Sequence, residues 1–356
     1  MGWGVNNSGM GFKTNISKIH YDKNAKGRFF SLLKFCSYFY AIVSGLKNRL
    51  YDKGILKPKK VNAYVVSVGN LTTGGVGKTP AVAQIAKYYL EQGEKVAIVS
   101  RGYGSKLDGK DINIISDAEN IFFNADVAGD EPFWLAKNVK GACVITSKNR
   151  FNASKYAIEE FGVTKIILDD GFQHRKLHRD LDIVLIDSEM GFGNENLLPA
   201  GPLREGLEAF NRIDKLVVVS KNTDHARAEK YAKIMGKKLK KETFVCYTEP
   251  DFVYNIFNAE KKLPPDKQVL AFSAIGQPQQ FYKFLKDYDV VKTVDYDDHH
   301  NYTQADIDEL RKFGIKTLIT TEKDAGKLVN LDFDSLEVFA LRLKTNLDLS
   351  SLLGQK

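Results

Sequence analysis

The apolar pattern of the chain changes character near residue 61. From there on, short β-branched runs recur at Tyr64–Val68, Val96–Ser100, Cys143–Thr146, Ile166–Asp170, Ile183–Asp187 and Leu216–Ser220, with helix-period stretches between several of them. That alternation predicts an α/β fold with a mostly parallel sheet covered by helices on both faces. The pattern returns on a smaller scale at Val269–Ser273, Val290–Val294, Leu318–Thr321 and Val338–Leu341, which predicts a second, smaller α/β domain. Between the two, the lysine-rich stretch Lys230–Lys241 reads as the start of a linker or hinge. Solenoid-length repeats are absent.

Ahead of the first strand lies the most apolar stretch of the chain, Phe29–Leu46, with Phe29, Leu32, Leu33, Cys36, Phe39, Tyr40, Val43 and Leu46 on one helical stripe. Lys34 interrupts it, and basic residues flank it: Lys23, Lys26 and Arg28 before, Lys47 and Arg49 after. An apolar helix with basic ends suits the membrane interface. A core helix packed on the sheet and a bilayer span are the alternatives. The expected organisation is therefore a basic or disordered leader at 1–28, an interface helix and basic linker at 29–60, a core domain at 61–235 and a smaller domain at 236–356.

Charge sharpens that picture. The net charge is +8, yet residues 1–60 hold twelve Lys/Arg against Asp22 and Asp52, which leaves the remaining chain at about −2. The basic surplus points to an anionic membrane surface as partner for the first segment and argues against nucleic acid on the main fold. Residues 1–16 are rich in Gly, Asn and Ser and read as a disordered leader without signal-peptide character. Asn6 breaks the myristoylation pattern. The three cysteines, Cys36, Cys143 and Cys246, form no CxxC pair and read as reduced structural thiols.

The chemistry gathers where the runs end. Tyr64–Val68 leads into Gly69 and then Thr72-Thr73-Gly74-Gly75-Val76-Gly77-Lys78-Thr79, which opens a helical pattern to about Glu91. Strand, glycine loop, Gly-Lys-Thr and helix make a phosphate cradle: backbone N–H groups crowd an anion, the lysine reaches the terminal phosphates, and the threonine hydroxyl can hold Mg²⁺. Thr72 stands where GxxxxGK[ST] has its first glycine. Asp169 and Asp170 close another apolar run, as a strand-end metal-binding acid must; alternation along a strand would turn at most one of them to the metal. Asp130, in Gly129-Asp130-Glu131-Pro132, is a candidate general base or else a helix N-cap. His299 and His300 follow two aspartates. In Pro199-Ala200-Gly201-Pro202-Leu203-Arg204-Glu205, Arg204 either grips phosphate or belongs to a rigid connection with a surface ion pair. A GTP-driven switch would need Asn/Thr-Lys-x-Asp after a late strand, and Ser220-Lys221-Asn222-Thr223 lacks the final aspartate. A kinase of a soluble metabolite would share the cradle but would not need Phe29–Leu46.

The strings VSVGNLTTGGVGKTP, SRGYG, GDEP, LDDGFQHRKLHRDLDIVLID, GFGNENLLPAGPLRE, AFSAIGQP, DHHNYT and TTEKDAGKL occur in that order. Together they resemble the tetraacyldisaccharide 4′-kinases of the lipid A pathway, from about Phe29 to Leu343. The resemblance implies a P-loop kinase that uses ATP and Mg²⁺ to phosphorylate the 4′-hydroxyl of a tetraacylated glucosamine disaccharide 1-phosphate at the cytoplasmic face of the inner membrane. It implies that Lys78 and Thr79 serve ATP and Mg²⁺ with Asp169 or Asp170, that Asp130 takes the hydroxyl proton, and that His299 pairs with Asp130. Arg150, Arg204 and Glu205 are implied near phosphate or sugar. Arg101, Glu131, Gln173 and His174, in neighbouring motifs, are further substrate-site candidates. Asp130 and His299 fall in different predicted domains, so the site is expected to assemble as they close.

Overall fold

The computed structural model describes residues 19–108, 111–221, 225–276, 278–298 and 300–354. The expected leader at 1–16 and the catalytic candidate His299 lie outside the described residues. The elements run α1 (Arg28–Asp52), β1 (Tyr64–Asn70), α2 (Lys78–Glu91), β2 (Val96–Ser100), β3 (Asn113–Asp117), α3 (Ala125–Ala128), α4 (Asp130–Asn138), β4 (Cys143–Thr146), α5 (Arg150–Phe161), β5 (Lys165–Asp169), β6 (Leu181–Asp187), β7 (Lys215–Ser220), α6 (His225–Leu239) and β8 (Glu242–Asn255). They continue with β9 (Gln268–Ser273), α7 (Pro278–Lys283), β10 (Asp289–Asp295), α8 (Gln304–Arg311), β11 (Thr317–Thr321), α9 (Glu322–Leu328), β12 (Glu337–Asn346) and α10 (Leu349–Leu353).

All twelve strands join one sheet, in the order β10-β9-β11-β12-β8-β7-β6-β1-β5-β2-β4-β3. Pairing is parallel except between β3 and β4 and between β8 and β12. Both faces are covered, as the continuous apolar runs require. Val66 and Val68 of β1 pack in a cluster with Ile85 of α2 and Leu135 of α4. Val65, on the other face, clusters with Ala153 and Ala157 of α5. The second half has its own clusters around Phe272 and Phe339.

Two strands escaped the sequence pattern. β3 is a short, half-buried antiparallel edge strand. β8 carries Pro250, which argues against a strand interior. Its first part, Glu242 to Tyr247, pairs with β7, and the rest, from Tyr247 to Asn255, pairs with β12. The register shifts between Arg342 and Leu343, where Pro250 is accommodated. One strand thus serves both halves.

The Lys230–Lys241 stretch is not a linker. It lies mostly in α6, which buries Ala228, Ala232 and Met235 and presents lysines outward. Small apolar residues at helical spacing form the packed stripe, and the lysine count hid it. The 235/236 boundary expected from the sequence falls inside this helix.

Helix α1 is not a core helix. Only Leu33 and Ser37 are buried, while Phe29, Leu32, Phe35, Tyr38, Phe39, Ile42, Val43 and Leu46 are exposed. The exposed band differs from the expected stripe. Leu33 is buried, and the Tyr40 hydroxyl donates to the Arg204 carbonyl at 2.9 Å. Phe35, Tyr38 and Ile42 take their places on the outside.

Candidate active site

β1 lies between β5 and β6 in the sheet, and its carboxyl end opens into the glycine loop. Gly74 and Gly77 adopt φ of 108° and 85°, a region that L side chains rarely enter. Gly77 caps α2 with no side-chain hydrogen bond, so the first-turn N–H groups face the loop as an anion site requires. Lys78 Nζ donates to Asn70 Oδ1 at 3.2 Å and lies 3.6 Å from Asp170 Oδ1. Lys221, beyond β7, donates to the Gly75 carbonyl and pairs with buried Asp187 at 3.0 Å.

The Pro199–Glu205 segment braces this loop. Thr73 N–H donates to Pro202 O and Arg204 N–H to Leu71 O, each at 2.8 Å, and Thr72 bridges Leu203. Tyr21 OH donates to Thr73 O at 2.9 Å. The Arg204/Glu205 surface pair, one of the two alternatives for this segment, does not form. Arg204 grips Asp170 through both carboxylate oxygens, at 2.8 and 2.7 Å. Glu205 is buried, pairs with Arg212 at 2.5 Å and accepts from Asn48 at 2.8 Å.

The two adjacent acids are not separated as strand alternation would separate them. β5 ends at Asp169, and Asp170 turns out of the strand with φ 53°. Lys78 acts on both carboxyls. Burial works against ionisation of Asp170, but Lys78, Arg204 and Arg150 outweigh it and hold the carboxyl below its usual range. Asp169 is the opposite case. Burial pushes it up to about 7, and the charge of Glu131 adds to the shift.

Arg150 is 4% exposed, donates to the Asp170 carbonyl at 2.7 Å and feels the charge of Arg101. Gln173 Nε2 donates to Asn70 O at 3.0 Å, and Lys47 of α1 donates to Gln173 O at 3.3 Å. Burial, with Arg150 and Lys47 nearby, takes His174 down to about 4, so its ring stays neutral at physiological pH.

Asp130 opens α4 without capping it: Gly129 holds the cap position, at φ 88°. A side chain on Gly129 would press on Tyr103 O at 3.0 Å. Pro132 sits buried in the first turn, where its missing N–H costs nothing. Asp130 Oδ2 pairs with Lys327 Nζ at 3.0 Å, and Lys327 also donates to His300 O at 3.1 Å. The His300 ring contacts Asp306 at 3.1 Å and stacks on Tyr296. Neither Lys327, inside TTEKDAGKL, nor Lys221, inside Ser220-Lys221-Asn222-Thr223, has a role that the sequence alone assigns. Each is a lone lysine among many, and only the folding of distant elements gives it a partner.

Among the described residues no three His, Cys, Asp or Glu side chains form a metal cluster. Mg²⁺ needs less, because it keeps waters and phosphate oxygens and takes one or two protein ligands. The oxygen donors Thr79 and Asp169 fit that demand. A carboxyl held near neutrality by burial and by Glu131 is one whose ionised form a cation would favour.

Strand, glycine loop, Lys78-Thr79 and a strand-end acid define a P-loop nucleotide-binding protein. The family model for LpxK, tetraacyldisaccharide-1-P 4′-kinase, matches residues 29–355. The tetraacyldisaccharide 4′-kinase of Desulfotalea psychrophila is 36% identical over 322 residues, covering 87% of this chain and 91% of its own length. That of Aquifex aeolicus is 38% identical over 322 residues, covering 89% and 94%. A crystal structure described as the "apo" form of LpxK from Aquifex aeolicus in complex with ATP superposes with a TM-score of 0.73 at 35% identity, over 91% of this chain and 97% of that one. The chain belongs to the tetraacyldisaccharide-1-P 4′-kinase family.

Proposed function

We propose that this protein transfers the γ-phosphate of ATP to the 4′-hydroxyl of a tetraacylated glucosamine disaccharide 1-phosphate, in the lipid A pathway, at the cytoplasmic face of the inner membrane. The observation that carries the reading is the placement of two consecutive residues. The charge of Glu131 is felt by Asp169 at the end of β5, while Asp130 pairs with Lys327 of the second half. This supports reading Asp130 as the base for an acceptor that approaches the cradle from the second half.

The glycine loop and the α2 N-terminus hold the phosphates, and Lys78 neutralises charge as it leaves the γ-phosphoryl group. Thr79 and Asp169 would hold Mg²⁺, which supplies charge neutralisation across the phosphates. The 4′-oxygen attacks the γ-phosphorus, the bond to the β-phosphate oxygen breaks, ADP leaves, and the hydroxyl proton goes to Asp130. His299, next to His300 in the loop that Lys327 engages, pairs with Asp130 in this reading. Arg204 and Arg150 fix Asp170 beside Lys78 and so hold the lysine in place.

The acceptor is a lipid, and α1 suits it. Monomeric soluble proteins rarely expose so large an apolar band. A large side chain gains about 1.5–3 kcal/mol when fully buried, so partial insertion of this band is enough to hold the protein at a bilayer. Contacts between α1 and the body run from Ser37 to Asp52, which lays the helix along the protein and does not leave it to span. A kinase of a soluble metabolite has no use for the exposed face.

Incubation of the purified protein with γ-labelled ATP and the disaccharide monophosphate tests the reading. Label is expected in a bis-phosphorylated lipid. ATP turnover that leaves the lipid unlabelled would overturn it.

A further inference from the structure

We propose that Lys327 is a positioning residue for the transfer: its ammonium holds the Asp130 carboxylate and the His300 backbone in one fixed relation. The inference rests on the reading of Asp130 as the base.

Lys327 lies near the end of α9 with its side chain 3% exposed, against 12% for Asp130. An ammonium buried that deeply is unfavourable unless paired and hydrogen-bonded, and an apolar side chain would fill the space more cheaply. Lys327 has both. Nζ lies 3.0 Å from Asp130 Oδ2, on α4 of the first half, and 3.1 Å from the His300 carbonyl, in a loop of the second half. An ammonium has three donors, and these two contacts converge on the same atom from different parts of the chain.

The frame around Lys327 is stiff. Thr321 caps α9 by accepting from Asp324 N–H. The Asp324 carboxylate accepts from Ala274 N–H at 3.0 Å and Thr321 Oγ1 at 2.8 Å, and Ala325 and Leu328 are buried. The loop is fixed at its far end too, by His300 on Asp306 and Tyr296. Arg342, which lines the cavity beside Asp130, is committed to Glu322 at 3.0 Å. Lys327 therefore sets where Asp130 sits relative to His300, and it acts on the transfer through Asp130.

The test uses the full-length protein with labelled ATP and the disaccharide monophosphate, comparing Lys327→Met, Asp130→Asn and the double variant. Misplacing the base should lower kcat by about 30-fold or more in Lys327→Met while KM for ATP stays within about twofold. In the Asp130→Asn background the same change should cost less than about twofold, because nothing remains to be positioned. A loss under about threefold in Lys327→Met, an equal loss in both backgrounds, or a loss carried by KM for ATP overturns the proposal. Should the methionine variant fail to fold by circular dichroism, Lys327→Gln carries the same comparison. Unchanged kcat in Asp130→Asn removes the base assignment and this proposal with it. A damaged Asp130→Asn beside an unaffected Lys327→Met removes this proposal alone.

Discussion

Asp169 and Asp170 are neighbours in sequence, yet the fold drives their proton affinities apart. Asp169, raised to about 7 in the folded state from the ordinary carboxylate range, binds protons there that the unfolded chain has released. Its contribution therefore falls as pH rises from about 4 to 7. The melting temperature of the nucleotide-free protein should carry that component, and Asp169→Asn should remove it. Asp170 has the reverse sign: its stabilisation is present above the ordinary carboxylate range and is lost as pH falls through its depressed value. If Asp169 holds Mg²⁺ as proposed, the ionised form is the ligand, and apparent Mg²⁺ affinity should rise up to about pH 7 and level off beyond, as isothermal titration at several pH values would record. Asp130→Asn should lose about 10²-fold or more in kcat with ATP binding intact. The residue types of this site were legible because glycine, lysine and acid at strand ends have few other uses together. Their pairings were not. That Arg204 holds Asp170 and leaves Glu205 to Arg212 depends on how a segment some thirty residues away returns to β1, which spacing cannot convey.

At the scale of elements, the period of the apolar runs located nine strands to within two residues, because buried parallel strands are continuous and bounded by glycine or acid; β12 was found too, but it runs on to Asn346, past the apolar run, where it pairs with β8. It failed at β8, where Pro250 and exposed polar positions mimic a loop, and at α6, where lysines outnumber the packed residues. Helix α1 was readable as amphipathic but not as oriented. The side that docks is chosen by polar contacts, Ser37 to Leu197 O at 2.9 Å and Asn48 to Glu205 at 2.8 Å, which hydrophobicity does not register. Ile42 and Val43 are 66% and 71% exposed, so replacing both with glutamate should leave the melting temperature almost unchanged. The same pair of changes should sharply reduce co-sedimentation with anionic vesicles, and undiminished co-sedimentation would show that this face does not meet the bilayer.

Across the whole molecule, the two halves are joined through hydrogen bonds as well as chain. β8 gives its first part to β7 and the rest to β12, so neither half ends where the sequence suggested. Removing everything after Leu239 would strip β7 of its neighbour and bare an edge whose residues Leu216–Ser220 are all buried. Such a fragment should aggregate on size-exclusion chromatography while the intact chain does not.

Seven residues, Pro199 to Glu205, touch α1 on one side and the nucleotide loop on the other: Ser37 accepts from Ala200 N–H and Tyr40 donates to Arg204 O, while Pro202 O receives Thr73 N–H. If the apolar helix floats at the lipid surface, this brace acts as a ruler that fixes the height of the phosphate donor above it. The reachable hydroxyl is then selected by its depth in the leaflet as much as by its chemistry.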